Sequence, residues 1–344
     1  MTERTESLIE RSAEEDVVPG PAGSDVLSDA LNLFRVTGAA LLRGEFTAPS
    51  TVDVPTASSY ARVLHPGATR LMVLHIIAEG TCWVEAEGVP RTKLPKGSIV
   101  SFPLGHPHRL SAGEGANPVH VSQLLPTPPW TELPVLRNGG GGEPTRLVCV
   151  YLRCDELLSN PIFDSLPPLL IVEPHRGGDG DWIAANVEHI VREASVGRPG
   201  GGCLIARLTE LLFIEILRRH IASLKEGGTG WLAALGDRHL ARALACFHGD
   251  PGRQWTLDEV ARRAGMSRTG LIEGFQRVLA TSPMHYLTMW RLQLAAQALA
   301  TTHKTMAQIA DEVGYGSEVA LSRAFKRETG YTPAEWRHQR SRSA

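Results

Sequence analysis

With 344 residues, 42% of them hydrophobic and 21% charged, the chain has room for two domains with cores of their own and the make-up of an ordinary soluble protein. No apolar run approaches membrane-spanning length, the first residues (MTERTESLIERSAEED) lack a signal-peptide core, and five cysteines without a CxxC pair argue against a disulfide framework or a zinc ribbon and fit a reducing cytoplasm. The net charge of −2 hides an asymmetry: from Asp237 onward there are 15 Lys and Arg against 10 Asp and Glu, leaving 20 against 27 before it. That suits nucleic acid at one end of the chain and a different task at the other.

In chain order, residues 1–24 read as a disordered, polar start ending in PGPAG. A short helix is expected over Val26–Leu33. Short β-type segments follow at Ala39–Leu42, Ser59–Leu64, Arg70–Ala78, Thr81–Glu87, Ser98–Phe102, Val119–Leu125 and Leu147–Leu152, divided by turn clusters such as LPKG at 94–97 and GGGG at 139–142. Many short strands at this spacing predict a barrel or jelly roll.

Within them, residues 97–108 read GSIVSFPLGHPH, with the spacing Gly-x5-Pro-x-Gly-x2-His. This resembles the second conserved motif of cupins, whose last His binds metal in the enzymatic members; here that residue is His108. The first cupin motif would supply two His and a Glu. In RLMVLHIIAEG, Val73 stands about where the Glu should be, His75 is two residues on and on the same face, and His65 falls in a turn. Two ligands do not make a three-ligand catalytic site. Two readings follow: a buried, hydrogen-bonded His75 with His108 in a loop, or a residual metal or ligand site using His75, His108 and His106, with Cys82 a further candidate for effector binding. Cys82 opens a strand beside Trp83, and Cys149 and Cys154 flank another strand's end; free cysteines of this kind are usually small buried hydrophobes, and oxidation sensing needs an exposed thiol of low pKa.

After Pro174 the pattern turns helical, with Trp182–Ala194, then GRPGGG, then Cys203–Leu224. The last helix carries an apolar stripe through Leu204, Ile205, Leu208, Leu211, Leu212, Ile216, Leu217 and Ile221, covering roughly half its circumference. One flank suffices to pack on the barrel, and the other can meet a partner subunit. KEGGTG at 225–230 reads as a flexible linker, and Trp231–His248 opens the domain that follows.

The rest of the chain contains a repeat. In TMAQIADEVGYGSEVALSRAFKRETGYTPAEWR, starting at Thr305, a short helix with an apolar stripe stops at Gly314; Ser317 caps a second helix whose stripe is Leu321, Ala324 and Phe325. Upstream, Ala261 and Gly265 match Ala310 and Gly314 at an offset of 49, while Ser267, Leu271, Phe275, Arg277 and Pro283 match Ser317, Leu321, Phe325, Arg327 and Pro333 at 50. Two helix-turn-helix motifs, 256–280 and 305–329, are thus expected, joined by a helix over Pro283–Thr301.

The duplicated motif, the run GYGS…LSRAFKRETGYTPAEWR and the order of the chain resemble the AraC/XylS family of bacterial transcription regulators. The resemblance implies two recognition helices entering successive major grooves, a dimer formed through the helices before the linker, and contact with RNA polymerase. The sequence departs from the family at Leu321, where Phe is usual, and at Ala280, where Gly is usual. The expected architecture is α+β multidomain: a cupin-like sensor β-barrel (25–175), a helical dimerisation region (176–224), a linker (225–236) and an all-α double helix-turn-helix domain (237–340). The expected DNA-binding residues are Ser267, Arg268, Thr269, Glu273, Gln276 and Arg277 in the first motif, and Ser317, Glu318, Ser322, Arg323, Lys326 and Arg327 in the second. The function that follows is a cytoplasmic, dimeric, DNA-binding regulator answering a small-molecule or redox effector, with no catalytic residue, metal or cofactor. The alternative is a metal-dependent cupin enzyme with secondary DNA binding.

Overall fold

The computed structural model describes residues 25–33, 35–64, 70–127, 130, 133–155, 165–173, 179–224 and 227–341. The expected disordered start (1–24), His65 and the first linker residues, 225 and 226, lie outside them.

The N-terminal half is a two-sheet barrel. One sheet has six strands in the order β11 (Leu170–Val172), β6 (Ile99–Phe102), β3 (Arg70–Glu79), β10 (Pro144–Asp155), β1 (Arg35–Thr47) and β9 (Val135–Gly139). The other has five: β5 (Val89–Pro95), β4 (Thr81–Ala86), β7 (His108–Ala112), β2 (Ser50–Val54) and β8 (Val119–His120). The burial of each strand follows from what covers it. In β3 every residue from Leu71 to Ile77 is buried, because both faces are covered. Leu71, Val73 and Ile77 point into the barrel, while Met72, Leu74 and Ile76 belong to the core formed with the helices outside. In β4 only Cys82 and Val84 are buried, in the alternation of a sheet with one wet face.

Two expected strands are helical instead. Ser59–Leu64 forms a 3₁₀ turn (Ala57–Ser59) and one turn of α-helix, α2 (Ala61–Leu64). Its buried residues are Ala57, Ala61 and Leu64, a helical spacing, and Ser59 Oγ donates to the Thr56 carbonyl at 2.8 Å. Of Val119–Leu125, only the first two residues pair as a strand; the His120 side chain then caps a single helical turn, α3 (Val121–Leu124), by accepting from Ser122 N–H. Strands β2, β5, β7, β9 and β11 have no counterpart among the segments expected from the sequence pattern.

Helices α4 (Asp179–Val196) and α5 (Gly201–Ser223) cover the outer face of the six-stranded sheet. The apolar stripe of α5 divides: Ile205, Leu212, Phe213, Ile216 and Leu217 are buried in this core, while Leu204 and Leu211 remain 39% and 47% exposed.

The C-terminal half is all helical. The opening stretch forms two helices, α6 (Trp231–Gly236) and α7 (Arg238–Gly249), divided at Asp237, whose carboxylate caps the second by accepting from the N–H groups of His239 and Leu240. Then come α8 (Leu257–Ala264), α9 (Arg268–Leu279), α10 (Pro283–Thr301), α11 (Met306–Glu312), α12 (Glu318–Thr329) and α13 (Pro333–Ser341). The first helix among the described residues, α1 (Val26–Leu33), packs against α7. Its Asn32 carbonyl accepts from Gln297, and Asp29 Oδ2 lies 3.9 Å from the buried His248 Nδ1. One apolar core runs from the outer sheet face through α4 and α5 into the first motif, and a separate one holds α11, α12 and α13 against α10.

Candidate functional site

Both motifs are built by the same local chemistry. Thr256 caps α8 by accepting from Glu259 N–H, and Thr305 caps α11 in a capping box with Gln308. The turns close at Gly265 and Gly314, with φ of 69° and 78°, a left-handed conformation that favours glycine. Gly314 is needed twice over, since a β-carbon there would lie 2.4 Å from the Gly252 carbonyl oxygen. Ser267 and Ser317 cap α9 and α12, their hydroxyl oxygens accepting from Gly270 and Ala320 N–H. Each hydroxyl keeps its hydrogen to donate elsewhere.

The second helix of each motif turns a buried stripe inward: Leu271, Gly274, Phe275 and Val278 in α9, and Leu321, Ala324 and Phe325 in α12. Outward, Arg268, Thr269, Glu273, Gln276 and Arg277 are exposed on the first, as are Glu318, Arg323, Lys326 and Arg327 on the second, with Ser322 half-buried. Arg268 lies 3.7 Å from Asp258, and Arg327 Nε donates to Glu328 at 2.8 Å. Two exposed apolar side chains, Ile272 (38%) and Val319 (53%), share these surfaces. Their signal in the sequence is an apolar residue off the buried stripe, and such groups can meet a thymine methyl. Gly270 and Gly274 do not share that outer surface fully: a β-carbon on Gly274 would press on Leu240 of α7 at 3.1 Å.

The two motifs also touch. Gln254 donates to the Gly314 carbonyl at 2.9 Å, and Arg291 of α10 donates to the carbonyls of Pro251 and Arg253 at 2.7 and 2.8 Å. The loop before the first motif is thereby held to the turn of the second, a long-range link with no local signature in the sequence.

Inside the barrel, the pairing of β3 with β10 sets Cys149 opposite His75, and His108 enters from the start of β7. His75 Nδ1 is 2.9 Å from Cys149 Sγ, His75 Nε2 is 2.8 Å from His108 Nε2, and His108 Nδ1 donates to the His106 carbonyl at 2.9 Å. Phe102 stacks on His108 at 3.6 Å. Burial holds both imidazoles neutral, pushing His108 down to about 4 and His75 well below its ordinary value, the latter helped by His108. His108 therefore sits in the core rather than in a loop. Cys82 is wholly buried with its thiol toward the Trp83 carbonyl, and His106 contributes its backbone carbonyl to the line. Among the described residues no group of three or more His, Cys, Asp and Glu side chains is placed to hold a metal. With Val73 where a cupin Glu would stand, the donors do not fit the three-ligand metal of the enzymatic cupins.

The sequence profile described as Cupin matches residues 25–222, and one described as Helix-turn-helix domain matches 260–339. A putative AraC-like transcription regulator of Streptomyces lividans is 32% identical over 284 residues, 78% of this chain and 88% of that protein. The chain belongs to the AraC-type transcription regulators. This AraC-type protein is also similar to the HTH-type transcriptional regulator AlkR of Acinetobacter baylyi (30% identity; 80% of this chain, 90% of AlkR). The RCS-specific HTH-type transcriptional activator RclR of Escherichia coli is 28% identical over 79% of this chain and 87% of its own. Among solved structures, the DNA-binding domain of AdpA in complex with a target DNA matches 31% of this chain and 96% of its own, at 29% identity and a TM-score of 0.29. As an AraC-type regulator the chain joins a cupin ligand-sensing domain to a DNA-binding helix-turn-helix domain. None of its described helices is long and apolar enough to cross a membrane.

Proposed function

We propose that this regulator grips promoter DNA with α9 and α12 in two successive major grooves, through the twelve residues named above. A small-molecule or redox signal reaching the barrel then changes how the DNA-binding parts are presented. The observation that carries the reading is the pair of exposed recognition surfaces held at either end of α10. That helix has 19 residues, hence a length of about 28 Å, close to the ~34 Å of one duplex turn. The working division is a sensor over 25–175, dimerisation helices over 176–224, a linker over 225–236 and the DNA-binding domain over 237–340. Two protomers associate through the exposed flank of α5, and the promoter-bound cytoplasmic dimer contacts RNA polymerase.

The barrel acts by binding and not by catalysis. In support, its motif histidines are engaged with each other and with Cys149. A genome-wide binding map would supply operators, and footprinting on them tests the docking: protection of two grooves one turn apart is expected, and protection of a single groove would overturn it.

A further inference from the structure

Three side chains in the barrel form a hydrogen-bonded line that DNA binding leaves unused, and its protons can be assigned. The His106 carbonyl can only accept, so His108 Nδ1 carries a hydrogen. Held neutral by burial, His108 then has a bare Nε2, which must accept from His75 Nε2. A neutral His75 with hydrogen on Nε2 has a bare Nδ1, so the last link is the thiol's own: Cys149 S–H donates to His75 Nδ1 across 2.9 Å. One fixed acceptor sets the direction of the whole line.

A thiol buried among apolar groups is ordinarily inert, and burial does push the Cys149 thiol far up. Here, however, a base touches it. Shifting each proton one place along the line leaves a Cys149 thiolate, a neutral His75 with hydrogen on Nδ1, and a His108 imidazolium donating to His75 and to the His106 carbonyl. This is the logic of a cysteine paired with an oriented histidine. A second feature marks the place. Tyr60 Oη is buried with no hydrogen-bond partner among the described residues, and the Tyr60 ring meets Tyr151 edge-on at 5.7 Å, which in turn lies edge-on to His75 at 6.5 Å. An orphan hydroxyl inside a protein is costly and offers a donor to a small oxygen-bearing molecule. Val73, Ile77, Val100 and Phe102 are fully buried in the same apolar core as Cys149, and the close packing of protein interiors restricts any visitor there to a few atoms.

We propose that Cys149 is an oxidation site for a small neutral hydroperoxide, with His75 and His108 carrying the thiol's proton. With hydrogen peroxide, the thiolate sulfur attacks one oxygen; the S–O bond forms as the O–O bond breaks. The departing hydroxide takes the proton from His75 Nδ1, and His75 Nε2 recovers one from His108. Cys149 sulfenic acid, water and two neutral histidines result, the sulfur losing the two electrons that the peroxide gains. The inference names the chemistry of the proposed sensor and rests on that reading only for its consequence at DNA.

The chemistry is tested without DNA, so that its failure leaves the regulator reading untouched. The reduced full-length protein is pulsed with hydrogen peroxide, sulfenic acid is trapped with dimedone, and each cysteine is read by peptide mass spectrometry. Exposed Cys203 is the internal standard. Cys149 should react at least as fast as Cys203, and its rate should fall at least tenfold in His75→Gln and in His108→Gln while that of Cys203 holds. Should His75→Gln not fold, His108→Gln, one place removed from the sulfur, answers the same question. Labelling of Cys149 no faster than that of buried Cys82 and Cys246, or an unchanged rate in folded His108→Gln, would overturn the proposal.

Discussion

Ala280 and Gly330 end the two recognition helices in the same left-handed conformation, with φ of 52° and 78°. Ala280 is the one non-glycine residue at positive φ among the described residues, and a β-carbon costs roughly 1–2 kcal/mol there. Ala280→Gly should therefore stabilise the protein by about 0.5–1 kcal/mol, after the added freedom of glycine in the unfolded chain. Chemical denaturation reads it; a lower midpoint would mean that the Ala280 methyl makes packing contacts worth more than its strain.

The repeat also separates the two glycines of α9. Gly270 corresponds to Ala320 and Gly274 to Ala324, so the second copy tolerates a methyl at both places. Gly270→Ala meets its own cap, Ser267 Oγ, at 3.2 Å and the flexible end of Met266 at 3.9 Å, and should gain up to about 1 kcal/mol of helix stability with DNA affinity kept. Gly274→Ala meets fully buried Leu240 and should lose about 1–3 kcal/mol by overpacking. Equal melting shifts of the same sign would refute this division.

Within α12, Arg323 and Lys326 should part company at the DNA. Arg323→Ala should cost about 1–3 kcal/mol and relax preference at one base pair, as for a bidentate contact to guanine. Lys326→Ala should weaken all sequences alike and lower the salt slope by about one. Binding isotherms on an operator and on scrambled DNA decide it; uniform weakening by Arg323→Ala would assign that side chain to the phosphates.

The dimer reading turns on which flank of α5 is charged. Leu212 is wholly buried, so Lys there would disrupt the intramolecular core whatever the oligomeric state. Leu204→Lys with Leu211→Lys alters only the exposed flank. A folded monomer in sedimentation is expected, and an unaltered dimer would remove this flank from the interface.

Acid should weaken the fold through its buried histidines. His108 is pushed down to about 4 and His248 to about 3, both by burial, from an ordinary 6.5. Below about pH 6.5 the unfolded chain takes up protons that the folded chain refuses until those lower values are reached, so this stability is present above pH 6.5 and lost as the pH falls. The urea midpoint should be lower at pH 5 than at pH 7, and less so in His248→Gln. An equal drop in that variant would clear His248 of any part.

The DNA-binding half was legible because its signals are local: caps, glycine turns and apolar stripes repeat within a dozen residues of each other. The barrel was harder. Strand β5, VPRTKLP, buries only Leu94 and offers no alternation to read. The contact between His75 and Cys149 spans 74 positions and exists only through the register of β3 with β10. The stripe of α5 was visible, but the split that sends Leu212 inward and Leu211 outward needed the sheet beneath it.

Gly252 and Gly314 meet backbone to backbone, so the first motif's approach loop and the second motif's turn have no side chain to cushion a shift between them. Under the proposed docking this makes the protein a gauge of helical phase. One base pair inserted between the two half-sites turns one groove by about 35° against the other. A pair of motifs on a slack tether would follow that rotation, whereas a pair locked at Gly252 and Gly314 must release one groove.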